Sequence, residues 1–211
     1  MENSLLIPEP VALARPRGAH RFEAFSPKLA RRMTFYRRAQ VEQWMLLEAD
    51  PLVIAFCERP GYIQIDGHKR LADFWVRYVD RSELAILDDR SCEVAATKPD
   101  RALDVDTCTI RRVAPADLAA ARIWIENWQR MLPCLVANRD LVPSTLPQAI
   151  ARFVKEPQRL LTIEREFSTG DPVLVRAAVF GMLHNGRVSA PELWTQPLSL
   201  LTSFAALEAQ S

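Results

Sequence analysis

The stretch that decides the fold spans residues 35–89, which read FYRRAQVEQWMLLEADPLVIAFCERPGYIQIDGHKRLADFWVRYVDRSELAILDD. Its apolar residues recur at helical spacing up to Pro51, which cannot continue a helix, so we predict a helix over 35–50. Beyond it, short apolar or alternating runs separated by turn residues predict four β-strands, at 52–57, 62–65, 71–79 and 83–88. One helix followed by consecutive strands predicts an α/β or α+β core.

Two acids in this stretch are candidates for chemistry. Asp73 interrupts an apolar strand, and Glu42 lies on the predicted helix. A carboxylate is costly to bury unless it is compensated, and a divalent cation shared with a second carboxylate is a common compensation. The pattern predicts a metal-dependent nuclease core in which Glu42 and Asp73 hold the metal. The alternatives are a structural aspartate bonded to a nearby turn and a glutamate on the helix surface.

The end of the last strand departs from such a core. A nuclease of this kind needs an acid on the neighbouring strand and a lysine two residues further on, which orients or activates the attacking water. The candidate positions read Leu87-Asp88-Asp89. Asp88 or Asp89 could still supply the second ligand after a small register shift, with Arg38 or Lys69 as the basic residue. Both aspartates could equally be turn residues.

The charge is unevenly distributed, although the net charge of the 211 residues is only +1. Eight Lys and Arg residues lie between Val11 and Gln40 against a single acid, Glu23. Such a segment is compatible with DNA phosphate contacts, or it is an ordinary solvated basic segment. The predicted phosphate contacts are the four arginines nearest the helix, Arg31, Arg32, Arg37 and Arg38.

Composition favours an ordinary globular protein. The chain is 49% hydrophobic, its four cysteines lack the spacing of a zinc site or a disulfide framework, and its N-terminus lacks a signal-peptide pattern. No apolar run is long enough to span a bilayer. We expect a soluble, cytoplasmic protein with no membrane partner.

The C-terminal half changes character after Lys98-Pro99-Asp100. From Pro115 onward the pattern predicts helices, at 116–132, 144–156, 157–167 and 171–185. Several short helices joined by small turns suit a helix-turn-helix or winged-helix module, a class that contains both DNA binders and protein docking units.

Four segments, taken in order, resemble the N-terminal nuclease domain of TnsA, the subunit of heteromeric transposases that cleaves transposon ends; they are residues 40–42, 46–51, 56–60 and 72–76. Residues 175–188 and 193–204 resemble the helical C-terminal domain of the same family. The resemblance implies an α/β fold with a restriction-endonuclease-like, PD-(D/E)xK mixed-sheet core and a helical, winged-helix-like C-terminal domain. The implied division is a basic Pro/Arg-rich arm at 1–25, the nuclease-fold domain at 26–110 and the helical domain at 111–211.

The resemblance also implies a function in transposition, a form of DNA recombination, in the bacterial cytosol or nucleoid. Glu42 would match the family's helix glutamate and Asp73 its metal-binding aspartate, with Mg²⁺, or Mn²⁺ in its place, as cofactor. The implied partners are double-stranded DNA at transposon ends, a DDE-type transposase subunit and an ATPase regulator. Three interpretations stay open: an active endonuclease that cuts near the 5′ end, a catalytically degenerate DNA-binding and assembly subunit, and a stand-alone restriction or repair nuclease.

Overall fold

The structure, a computed structural model, describes residues 7–65, 67–88 and 108–207. Within these residues the chain is mixed α/β, with six α-helices and a mixed sheet, as predicted at that level. The restriction-endonuclease-like core and the winged-helix-like C-terminal domain stay predictions. No helix in the described residues is long and apolar enough to cross a membrane.

Two compact units make up the chain. Unit 1 contains the described residues up to Leu47 and from Leu52 to Ala119. Unit 2 contains Glu48–Pro51 and the described residues from Ala120 onward. The strands and helices of unit 1 are β1 Phe22–Ser26, β2 Arg31–Phe35, α1 Arg38–Ala49, β3 Ala55–Glu58, β4 Tyr62–Ile65, β5 His68–Leu71, β6 Phe74–Arg77, β7 Ser82–Leu87, β8 Thr109–Val113 and α2 Pro115–Ala120, with the last residues of α1 and α2 counted in unit 2.

A four-stranded sheet, ordered β3-β6-β7-β8, forms the centre of unit 1. Its β3–β6 and β6–β7 pairs are antiparallel, whereas β7 and β8 are parallel. Helix α1 packs beside Phe35 and Phe74, since the Phe35 ring lies 5.7 Å from that of Trp44 and 6.1 Å from that of Phe74. All three rings are buried, so apolar packing holds the predicted helix to the fold.

The basic N-terminal segment forms regular structure that the sequence pattern did not predict. Strands β1 and β2 pair as an antiparallel hairpin. The Ser26 hydroxyl accepts a hydrogen bond from the Leu29 N–H, which closes a turn. The alternation of buried Met33 and Phe35 was the available signal for β2.

Val11 is hydrogen-bonded to Arg59, the residue that follows β3. Its N–H donates to the Arg59 carbonyl at 2.8 Å, and its carbonyl accepts from Arg59 Nε at 3.2 Å. Arg59 is buried, has a positive φ of 50° and also donates to the Thr34 carbonyl. One arginine therefore joins the N-terminal segment to β2.

The predicted strand over 71–79 is two strands. β5 pairs with β4 as an antiparallel hairpin, and β6 enters the central sheet. The break falls at Ala72-Asp73, where the Ala72 N–H donates to the Gly61 carbonyl and the Asp73 N–H donates to the Ala85 carbonyl. The chain changes hydrogen-bonding partners at this point, and alternation alone does not reveal such a change.

Unit 2 contains the remaining elements: α3 Arg122–Asn138, α4 Thr145–Phe153, β9 Gln158–Arg159, α5 Leu160–Phe167, α6 Val173–His184, β10 Val188–Ser189, a 3-10 helix Pro191–Trp194 and β11 Ser203–Ala206. The three short strands form an antiparallel sheet in the order β10-β11-β9. Helix α6 lies among α3, α4 and α5 and has eight buried residues. Four helical regions are present as predicted, but the helix predicted at 116–132 is two helices, α2 and α3, separated at Ala121, and α3 continues through Pro133. The region predicted as a helix at 157–167 begins with β9.

Candidate functional site

The sheet brings Asp73 and the end of β7 together. Asp73 immediately precedes β6, and Leu87 is the last residue of β7. The Leu87 N–H donates a 2.8 Å hydrogen bond to Asp73 Oδ2. The Leu87-Asp88-Asp89 segment thus starts directly beside the predicted aspartate, in the place where the resemblance expects an acid.

The Asp73 carboxylate is buried, with 4% of its side chain exposed, and three groups bond to it. Besides the Leu87 N–H, its Oδ1 accepts from Gln40 Nε2 at 3.2 Å and from the guanidinium of Arg37, with which it forms an ion pair. A carboxylate has about four lone-pair sites, so most of its hydrogen-bonding capacity is used. The arrangement resembles the structural alternative for Asp73, although its partners come from a helix as well as from the neighbouring strand.

Helix α1 supplies this pairing from its first turn. Arg37 directly precedes the first residue of α1, and its carbonyl accepts from the N–H groups of Gln40 and Val41. Gln40 is buried, and its Oε1 accepts from the Tyr36 N–H at 3.4 Å. The Gln40 side chain therefore accepts a hydrogen bond from the backbone just before α1 and donates one to the Asp73 carboxylate.

Glu42 has a different partner. It forms a 2.7 Å ion pair with Arg38, four residues earlier, and its side chain is 22% exposed. Side chains two positions apart on a helix are separated by about 200° around its axis. Since Gln40 bonds to Asp73, Glu42 lies on a different part of the helix surface, where its partner is Arg38.

Arg70, an arginine of β5 that the sequence pattern did not single out, contacts the end of β7. Arg70 Nη2 donates to the Leu87 carbonyl at 2.5 Å, and Nη1 lies 3.9 Å from Asp88 Oδ1. The Asp88 side chain is 36% exposed. Lys69, the predicted alternative base, instead lies 5.1 Å from the centre of the Tyr62 ring. The other candidate ligand, Asp89, lies outside the described residues.

This arrangement does not fit a bound Mg²⁺ or Mn²⁺. Such ions take several oxygen ligands at once, and the residues in the described ranges contain no group of three or more His, Cys, Asp or Glu that could hold a metal. The groups around Asp73 are an arginine, an amide and a backbone N–H, all of them donors. The N–H groups that face Asp73 stabilise its carboxylate, and an N–H group cannot ligate a cation.

The four arginines predicted to contact DNA fall into two classes. Arg31 forms a bidentate pair with buried Glu58, at 2.9 and 2.5 Å, and this hydrogen bonding raises the pKa of Arg31 above its ordinary value. Arg37 is bound to Asp73. Arg32 is exposed, and Arg38 is 81% exposed and pairs with Glu42 at the surface. Arg32 and Arg38 are therefore the two that can reach a phosphate.

Sequence reasoning missed three residues of this region: Gln40, Glu58 and Arg70. The spacing of Arg37 and Gln40, three apart at a helix start, was a usable signal, because it puts both on one face. Glu58 and Arg70 gave no such signal, since their partners lie 27 and 17 positions away along the chain.

Comparison with known proteins adds no assignment. No protein-family model matches the chain, and a search of curated proteins gives no match.

Proposed function

We propose that this chain is a TnsA-like protein without nuclease activity, which acts at transposon ends as a DNA-binding and assembly subunit of a heteromeric transposase. The observation that carries the proposal is the closed site of Asp73. Its carboxylate is bonded to Arg37, Gln40 and the Leu87 N–H. The family's cleavage reaction needs that carboxylate on a metal ion.

The residue types at the end of β7 also favour a degenerate site. Leu87 cannot ligate a metal through its side chain, and the basic group bonded to its carbonyl is Arg70. A guanidinium remains protonated at any pH at which proteins fold, so Arg70 cannot accept a proton from water.

Unit 2 supports the assembly part of the proposal through its topology. A winged-helix module runs helix, strand, helix, helix, strand, strand, with its last strand between the other two. The order α4, β9, α5, α6, β10, β11 and the sheet order β10-β11-β9 follow this pattern. We therefore propose a winged-helix-like module over residues 145–206.

The third helix of this module is poorly suited to reading DNA bases. A recognition helix presents polar side chains to the major groove. Its counterpart, α6, has Arg176 as its one Lys or Arg residue, and that side chain pairs with Glu164 at 2.5 Å. With eight of its residues buried, α6 favours a structural role, which leaves protein docking as the better function for the module.

The segment between β10 and β11 has the character of a protein contact. Between β10 and β11 the one charged residue is Glu192, an acid, so this segment offers no positive charge to DNA phosphates. Trp194 is 50% exposed and stacks on Trp124 with ring centres 4.4 Å apart. An exposed aromatic ring held in one orientation is typical of residues that anchor protein interfaces.

A cleavage assay tests the proposal. Labelled transposon-end DNA is incubated with the protein in Mg²⁺ and in Mn²⁺, alone and with a candidate DDE-type transposase and ATPase regulator. We expect no nick in any mixture, together with a slower-migrating DNA complex that forms only when this protein joins the transposase.

Two variants make the assay decisive. Metal-dependent nicking that disappears in Asp73→Ala would contradict the proposal and would establish an active endonuclease. Glu42→Ala tests the second predicted metal ligand in the same assay, and nicking that survives both changes would place the active site elsewhere. Failure to form any joint complex with the transposase would remove the assembly function.

A further inference from the structure

Arg37 occupies the place of a cation in the candidate site. We propose that its guanidinium is a permanent internal counterion for Asp73, which replaces a divalent metal, so that unit 1 folds and keeps its site without one. The inference deepens the proposed function. It rests on that function because the metal that Arg37 would replace is the one expected in a TnsA-like nuclease. Its physical basis is the geometry of four residues.

The first step is the need for positive charge. The side chain of Asp73 is 4% exposed and that of Arg37 is 20% exposed. A buried carboxylate without a compensating charge is strongly unfavourable. Arg37 supplies that charge covalently, and because it does not lose its proton the compensation persists at every pH at which the protein folds.

The second step is the direction of the remaining bonds. Gln40 shares Oδ1 with Arg37, while Oδ2 is bonded to the backbone of Leu87. A metal ion could bind Asp73 only by displacing Arg37. The apolar side chain of Leu87 could not supply a further ligand to that ion. The described residues provide no set of three metal-ligating groups.

The third step is mechanical. Arg37 is held in the first turn of α1 by the bonds from Gln40 and Val41 to its carbonyl. Asp73 is held at the start of β6, with its N–H on the Ala85 carbonyl and its own carbonyl accepting from the Arg59 N–H. The pair therefore joins the start of α1 to the start of β6, a junction that a metal would otherwise make.

Thermal unfolding of the full chain tests the inference, in buffers with EDTA, Mg²⁺ or Mn²⁺ and without DNA. We expect the wild-type midpoint to be the same in all three. Arg37→Ala should lower the midpoint by roughly 5–15 °C, because it leaves a buried charge unpaired. Arg37→Ala combined with Asp73→Asn should recover part of that decrease, since the double variant has no orphaned charge.

Arg176→Ala combined with Asp73→Asn is the matched control. Arg176 pairs with a buried acid of unit 2, Glu164, so its effect should add to that of Asp73→Asn without coupling. A wild-type midpoint that rises in Mn²⁺, and fails to rise in Asp73→Asn, would overturn the inference, as would purely additive effects at Arg37 and Asp73. If Arg37→Ala does not fold, the wild type and Asp73→Asn alone decide the metal question. The proposed function fails separately, through the absence of a joint complex with the transposase.

Discussion

At the scale of single residues, Asp73 illustrates how a buried charge can be recognised before its role is known. The acid within an apolar run indicated burial and a need for compensation, and the buried carboxylate with its three donors agrees with that. The compensating group could not be read from the sequence. Arg37 lies 36 positions earlier, and its place in a basic run made phosphate contact an equally reasonable interpretation.

Asn127 is the residue whose removal should most affect the segment that carries Trp194. Its buried side chain donates to the carbonyls of Leu193 and Gln196, both at 2.8 Å, and accepts from the Leu198 N–H at 2.7 Å. We predict that Asn127→Ala lowers the unfolding free energy of unit 2 by about 2–4 kcal/mol, because it removes three hydrogen bonds.

Urea denaturation followed by tryptophan fluorescence measures this decrease, because the Trp124–Trp194 stack lies in the same region. Asn138→Ala is the control, since the amide of that side chain donates to the Cys134 carbonyl within the same helix, and the change should cost less than about 1.5 kcal/mol. Equal effects of the two substitutions would show that Asn127 does not hold the segment.

At the scale of helices and strands, periodicity predicted α1, β4 and β7 to within a few residues. It failed for β8, whose exposed, arginine-containing sequence has no apolar period and which exists because it pairs in parallel with β7. Periodicity also predicted one strand where the structure has β5 and β6, which pair with different strands. Local pattern reports which face of an element is buried, whereas pairing is decided by residues distant in sequence.

The glycine that follows α6 tests how much a positive φ and a close contact each contribute to stability. Gly186, just after α6, has a φ of 66°, and a Cβ at this position would lie 2.8 Å from Pro51 Cβ. Gly67 has a φ of 77° and no atom within 4 Å of such a Cβ. We predict that Gly67→Ala costs about 1–2 kcal/mol through its backbone conformation alone, and that Gly186→Ala costs about 1–3 kcal/mol more through the clash.

Chemical denaturation of both variants measures the difference. An equal decrease in the two unfolding free energies would mean that Pro51 can move aside. A decrease confined to Gly186→Ala would mean that the β4–β5 turn tolerates a side chain.

At the scale of the whole molecule, DNA contact falls to a few exposed arginines and not to the full basic segment. We predict that neutralising Arg32 and Arg38 together, with Arg→Gln changes, weakens binding similarly for all DNA sequences. The slope of log affinity against log salt should become shallower by up to about 1 for each phosphate that is no longer bound.

The control removes the same charge from unit 2, at exposed Arg152 and Arg165. We expect that pair of changes to leave the salt slope as it was. The reverse result, with the larger effect at Arg152 and Arg165, would move the DNA surface to unit 2 and would contradict the role given to the winged-helix-like module.

Both proposals depend on one claim, that Arg37 and not a metal ion compensates the negative charge of Asp73. A crystal structure of the wild-type protein soaked in Mn²⁺, with anomalous diffraction recorded near the manganese edge, examines it without any variant. We predict no anomalous peak on the Asp73 carboxylate and a guanidinium from Arg37 in contact with it. A manganese peak bonded to Asp73, with Arg37 turned away, would show that a metal ion holds this carboxylate after all.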